Sequence, residues 1–165
     1  MEYKAAVLTV SDKGSVGQRE DLSGAELEKL LGEAGFCVTG RFIVPDDRNL
    51  IVGKLTEMCD FGGVDLILTT GGTGFSPRDV TPEATCDVIH RAVPGIPEAM
   101  RLKSLEITKM AMLSRSAAGI RNKTLIINMP GSLKAVRECF EVILPVLPHA
   151  MEILTGRGGE CGSGG

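Results

Sequence analysis

Tryptophan is absent from this 165-residue chain, tyrosine occurs once (Tyr3) and phenylalanine five times. Stacking platforms for single-stranded nucleic acid rest on several exposed rings, so none is expected. Basic residues do not make up for this: eighteen Lys and Arg stand against twenty-one Asp and Glu, a net charge of −3, and the basic ones are scattered. The chain has no electrostatic footprint for a nucleic-acid duplex or an anionic membrane, and phosphate binding would have to be local. No apolar run approaches the ~20 residues of a membrane span, and the N-terminus, MEYKAAVLTVSD, has neither the length nor the cleavage site of a secretion signal. A cytoplasmic location is expected. Only two histidines, His90 and His149, are present, far apart and without ligand-like neighbours, and the five cysteines form no Cys-x-x-Cys pair. This argues against a zinc cage and against a disulfide framework. Cys37, Cys59, Cys86 and Cys139 read as small core residues, and Cys161 as a free thiol of the tail.

What is present is enough apolar content, 43%, to bury one good core, which predicts a single domain over residues 1–155. The last segment, GRGGECGSGG at 156–165, is nearly all glycine and reads as a disordered tail. Between them, buried-strand runs alternate with amphipathic helices. AAVLTV (about 5–10), CVTGRFIV, VDLILTT and TLIINM read as strands. After the first, Ser23 to Glu26 reads as a capping box ahead of Leu27, Leu30, Leu31 and Ala34, with Gly35 as the stop. Further helices are expected over about 48–59, 82–91 (capped by Thr81, with Pro82 at its first position) and 98–105. Another follows Ser132, and a last one ends near Thr155. Strands alternating with helices predict an α/β domain, a three-layer α/β/α sandwich on a mostly parallel sheet.

Ligands of such sheets bind outside the carboxyl ends of the strands. The richest loop there is Gly71-Gly72-Thr73-Gly74, followed by Arg78, Asp79 and the Thr81 helix start. Its glycines allow close approach of main-chain N–H groups to a phosphate, and the helix N-terminus behind it favours an anion. It is neither a Walker A loop, which needs Gly-Lys where Ser76-Pro77 stand, nor a dinucleotide fingerprint, which needs glycine at position 77. Pro130, Gly131 and Ser132 repeat the logic after the last strand, where a plain strand-to-helix turn is an equal reading. Asp46 and Asp79 each follow a strand at this edge, where two carboxylates beside phosphates suit Mg²⁺. Alternatives are a turn or capping role for Asp46, with Asp47 the better cap, and an ion pair to Arg78 for Asp79. Arg115, Arg121 and Lys123 form either a phosphate-facing cluster or a solvated loop.

The stretches TTGGTGFSPRDVTPEAT and NMPGSLKAVRECFEVILPVLPHAMEIL resemble the two signatures of molybdopterin adenylyltransferases of the MogA/MoaB type, and LTVSD, REDLSGAELEKLL and VPDD match the earlier segments. The resemblance spans about 5–155. It implies a homotrimer, or in some members a hexamer, that takes AMP from Mg-ATP onto the terminal phosphate of molybdopterin with release of pyrophosphate. A molybdenum-insertion protein would receive the product. It further implies Asp46 and Asp79 as the catalytic, magnesium-holding pair, Gly71, Gly72, Thr73 and Gly74 as the ligand-binding turn, and Ser114, Pro130, Gly131 and Ser132 as pocket lining. A phosphate nucleophile is already an anion near neutral pH, so such a reaction needs no histidine base. Three alternatives remain at this level: a member that binds molybdopterin without adenylylating it, a trimeric scaffold, and an unrelated nucleotide hydrolase or transferase on a similar sheet.

Overall fold

The computed structural model describes residues 2–157. Six strands form one sheet in the order β2-β1-β3-β6-β5-β4. Strands β1 (Lys4–Val10), β2 (Cys37–Val44), β3 (Leu66–Thr70) and β6 (Thr124–Met129) are mutually parallel where they pair. Strands β5 (Ala118–Arg121) and β4 (Arg91–Ala92) extend that edge antiparallel.

The period of two in the central strands explains the three layers. Ala5, Val7, Leu66, Leu68, Leu125 and Ile127 face one core with α2 (Leu22–Glu33), α5 (Gly95–Leu105), α6 (Leu133–Ile143) and α7 (Leu147–Thr155). Ala6, Leu8, Ile67 and Ile126 face a second core with α3 (Arg48–Asp60) and α4 (Thr81–Val88). Both faces of β1, β3 and β6 are thus sealed, and these strands read as unbroken apolar runs for that reason. A short helix α1 (Asp12–Ser15) and a 3₁₀ turn at Lys109–Leu113 complete the parts that matter to function.

Several sequence expectations shift. Helix α2 is capped by Asp21, whose Oδ1 accepts from Gly24 N at 2.9 Å; Ser23 lies inside the helix and donates to Gly131 O at 2.7 Å. The helix expected to reach Arg91 ends at Val88, since Arg91 and Ala92 pair with Ile120 and Gly119 as β4. Thr81 is the first helical residue, not the cap, and its hydroxyl donates to Gly71 O at 2.9 Å. Asp47 does cap α3, accepting from Leu50 N. Cys59 and Cys139 are buried as expected, Cys37 is half-buried and Cys86 is exposed, which corrects its reading as core. Among the described residues no helix is long and apolar enough to cross a membrane.

Of the expected tail, Gly156 and Arg157 are described; Cys161 and the rest of 158–165 lie outside the described residues. Gly156 ends α7 in the left-handed region (φ 68°). Arg157 then forks onto the buried Asp65 with both contacts at 3.0 Å, while Asp65 also accepts from Lys4 N. This clasp ties the end of α7 to the sheet edge opposite the carboxyl ends of the parallel strands.

Candidate active site

The chain runs from β1 to β2 on one side and later to β3 on the other, so the strand order reverses between β1 and β3. That switch point is where a crevice opens in an open α/β sheet. Here it is a cleft of about 620 Å³, walled by Thr9, Val10 and Ser11 from the end of β1 and by Thr70, Gly71 and Gly72 from the end of β3. Asp46, Asp79 and Gly131 also line it.

The two acids are built in from separate loops. Asp46 is held in a reciprocal clasp with Asp12: its Oδ2 accepts from Asp12 N at 2.8 Å, and its own N–H donates to Asp12 Oδ1 at 2.9 Å. Arg78 forks onto the same Asp12 carboxylate at 3.0 and 2.8 Å, and that guanidinium, followed by the Asp46 N–H, holds the Asp12 carboxyl below the usual range. The alternative reading of Asp79, an ion pair to Arg78, gives way to Arg78–Asp12, which leaves the Asp79 carboxylate without an arginine among the described residues. Asp79 Oδ2 accepts from Ser76 N at 2.9 Å. For Asp46, burial raises the carboxyl above its ordinary range, the Asp12 N–H works the other way, and the carboxylates of Asp12 and Asp79 add to the rise. The Arg78 charge offsets part of that rise, and carboxylates gathered in this way mark a place that favours a positive ligand.

Glycine is required between the acids. A Cβ on Gly72 would stand 2.3 Å from Thr81 Oγ1 and 3.3 Å from Asp46 Oδ1, and one on Gly74 would stand 2.9 Å from Asp79 Oδ2. Gly71 and Gly72 also have φ of 93° and 68°, in the left-handed region. Bare main chain thus lies directly against both carboxylates.

Thr73 and Gly74 face the other way, into a recess of about 280 Å³ bounded by Ser114, Pro130, Met100 of α5 and Cys139 of α6. The sequence-predicted residues therefore divide between two neighbouring hollows that share the Gly71–Gly74 turn as a wall. Ser132 borders neither. It caps α6, accepting from Ala135 N at 3.3 Å. The carbonyls of Pro130 and Gly131 are bound by Thr70 Oγ1 (2.6 Å) and Ser23 Oγ (2.7 Å), which fixes this loop against the first.

The basic cluster separates along its strand. Because β5 runs antiparallel, its start lies at the carboxyl edge of β6 and its end at the opposite edge. Arg121 accordingly pairs with Asp60 at 2.8 Å, away from the cleft. Arg115, just before β5, does reach the site, where protein groups engage it. Its guanidinium donates to Gly74 O and Asp79 O, each at 2.8 Å, and pairs with Glu83, while its N–H donates to Thr73 O. It staples both ends of the glycine loop. Sequence reading missed this role and that of Asp12; the only signal for Asp12 was its place directly after β1.

Among the described residues no group of three or more Asp, Glu, His or Cys side chains is arranged to hold a metal ion. Two carboxylates alone do not make a metal cage, yet they fit Mg²⁺, which keeps several waters and binds through one or two carboxylates together with substrate phosphates.

Residues 6–149 match the family model described as "Probable molybdopterin binding domain". A molybdopterin adenylyltransferase of Helicobacter pylori is 46% identical over 152 residues, 91% of this chain and 86% of its own length. The crystal structure of the molybdopterin biosynthesis enzyme MoaB from Thermus thermophilus has a TM-score of 0.88 and 49% identity, covering 93% of this chain and 97% of that one. The tungsten cofactor synthesizing protein MoaB from Pyrococcus furiosus gives 0.85 and 34%, with 93% and 97% covered. With its acids and glycine turn set at one switch point and these relatives matching it nearly end to end, the chain belongs to the molybdopterin-binding domain family, among the molybdopterin adenylyltransferases of the MogA/MoaB type.

Proposed function

We propose that the chain is a molybdopterin adenylyltransferase of molybdenum cofactor biosynthesis. A terminal phosphate oxygen of molybdopterin attacks the α-phosphorus of ATP, a P–O bond forms there, and the bond to the bridging oxygen breaks with its electron pair leaving on pyrophosphate. The observation that carries this reading is the pair Asp46 and Asp79, neither carboxylate paired with a cationic side chain among the described residues, lining one cleft beside a turn of bare main chain.

The chain's own work in such a transfer is alignment and charge balance. The turn Gly71, Gly72, Thr73 and Gly74 separates the cleft from the smaller recess, so two phosphorylated partners seated on either side bring their phosphates together at this wall. Ser114, Pro130 and Gly131 complete the lining, and Ser132 holds the loop by capping α6. Asp46 and Asp79 are the residues that would hold Mg²⁺, which when bound neutralises phosphate charge. No proton need be taken from the nucleophile, and among the described residues no histidine lines the cleft.

We further assign a homotrimer, with a hexamer as the alternative assembly. The support within the chain is an apolar surface on and after α5, where Leu102, Ile107, Met110 and Met112 are each at least half exposed. The cytoplasm is the setting, and a molybdenum-insertion protein the recipient of the product.

ATP labelled at the α-phosphate, incubated with molybdopterin and Mg²⁺, tests the reading: label should appear on the pterin, with equimolar pyrophosphate. Pterin that binds but never acquires label would make the chain a carrier. Arg115→Met gives a second test. With the Gly74 and Asp79 carbonyls released, turnover should fall ~10-fold and half-maximal rate should need more magnesium, because Asp79 loses its anchorage. Pterin affinity should change little. An unchanged magnesium titration would remove Arg115 from the positioning of Asp79.

A further inference from the structure

The cleft has an excess of negative charge that an Mg²⁺ held by Asp46 and Asp79 would answer only in part. Four carboxylates line it, those of Glu20, Asp21, Asp46 and Asp79, and its substrates add phosphates. Arg19 is the one Lys or Arg among the described residues lining it.

The arginines around the cleft are otherwise committed. Arg41 pairs with Asp21 and Glu28, Arg78 with Asp12, Arg48 with Asp87 and Arg115 with Glu83. Arg19 has no carboxylate partner among the described residues and is exposed. It is carried on the turn between Gly17, whose positive φ of 74° reverses the chain after α1, and Asp21, whose carboxylate is fixed by Gly24 N, Thr9 Oγ1 and Arg41. Gln18 N donates to Lys13 O at 2.9 Å at the other end, so the turn is anchored on both sides while the guanidinium has no bound partner among the described residues. A guanidinium suits a phosphate because it gives two parallel charged hydrogen bonds.

We propose that Arg19 is the phosphate-contacting side chain of the acid cleft, binding either the departing pyrophosphate portion of the nucleotide or the terminal phosphate of molybdopterin. This rests on the adenylyltransferase reading, and the two sources share one chemistry that binding measurements separate.

Calorimetric titration of the full chain with magnesium pyrophosphate, and separately with molybdopterin, would compare wild type with Arg19→Ala, Arg19→Lys and Lys13→Ala. Lys13 is a nearby exposed cation in α1 that does not line the cleft. Arg19→Ala should weaken one of the two ligands ~10-fold, Arg19→Lys should recover part of that loss, and Lys13→Ala should stay within about twofold. A loss confined to pyrophosphate places the guanidinium on the leaving group; one confined to molybdopterin places it on the nucleophile. Unchanged affinity for both ligands in Arg19→Ala, or an equal loss in Lys13→Ala, overturns the contact. Wild-type AMP transfer, run alongside, keeps the two readings apart. Normal wild-type transfer with unimpaired binding by Arg19→Ala removes this contact alone, whereas absent wild-type transfer with pyrophosphate binding impaired in Arg19→Ala removes the reaction and leaves the contact.

Discussion

Asp46→Asn should abolish most AMP transfer while leaving the protein as stable as before, or more so. The two effects share a cause. Burial, then the neighbouring carboxylates of Asp12 and Asp79, raise the Asp46 carboxyl above its ordinary range. A carboxyl whose folded pKa exceeds its unfolded value binds its proton more readily in the folded state. Its contribution to stability is then greatest below the unfolded carboxylate range and declines as pH rises through the raised folded value. At neutral pH the ionised side chain opposes folding. Asparagine removes that charge, and its Oδ1 still accepts from Asp12 N, so the 2.8 Å contact with the α1 loop survives. The melting temperature at pH 7 should hold or rise, and the gain should vanish in acid, where the wild-type carboxyl is protonated.

The rate goes the other way. A neutral amide binds a divalent cation far more weakly than a carboxylate, and loss of one of two such groups should cost ~10²-fold or more in turnover, about 2.7 kcal/mol of transition-state stabilisation. Asp79→Asn should show a comparable rate loss. The check is turnover at saturating magnesium beside a calorimetric melt of the same sample. A variant melting several degrees lower would show that the Asp46 charge is not held at a cost; near-normal turnover would remove Asp46 from the chemistry.

These predictions rest on parts of the site that differ in how far the sequence reveals them. The parallel strands were legible because Leu66–Thr70 and Thr124–Met129 are buried on both faces and hence apolar throughout. Asp79 and the glycines were legible because they follow such a strand, and Asp46 because Pro45 closes β2, an edge strand, just before it. Strand β5 was not, since four residues with Gly119 in their midst carry no periodic signal, and their pairing with β6 is a tertiary fact. From that one omission came the misgrouping of Arg115 with Arg121: adjacent in a loop they share a fate, but on an antiparallel strand they leave from opposite sheet edges. The Asp21 cap was hidden for a related reason. Ser23 and Glu26 satisfy a local rule, whereas Asp21 is selected by Thr9 and Arg41, which lie on other elements.

Gly71→Ala is expected to give the largest structural effect of any single methyl added to the chain's site. The new Cβ would lie 2.3 Å from Val10 O, a main-chain atom of the central strand β1 that no side-chain rotation can move aside. The φ of 93° adds a further conformational penalty of about 1–2 kcal/mol for any residue with a Cβ. Relief requires the turn to swing away, and that motion would break the Thr81 Oγ1 contact to Gly71 O and the Thr81 N–H bond to Gly72 O, which join the turn to α4. The combined destabilisation should be about 2–4 kcal/mol, lowering the melting temperature by roughly 5–15 °C for a chain of this size. Gly53→Ala is the matched control. Gly53 lies within α3, exposed, with nothing within 4 Å of an added Cβ, so the same methyl should stabilise by about 0.5–1 kcal/mol through helix propensity and a less flexible unfolded chain. Opposite shifts from one chemical change would tie the glycine-rich turn to its close approach on β1. If Gly71→Ala melted like Gly53→Ala, the turn would have room to spare, and the claim that bare main chain is needed to bring it against Asp46 and Asp79 would fail with it.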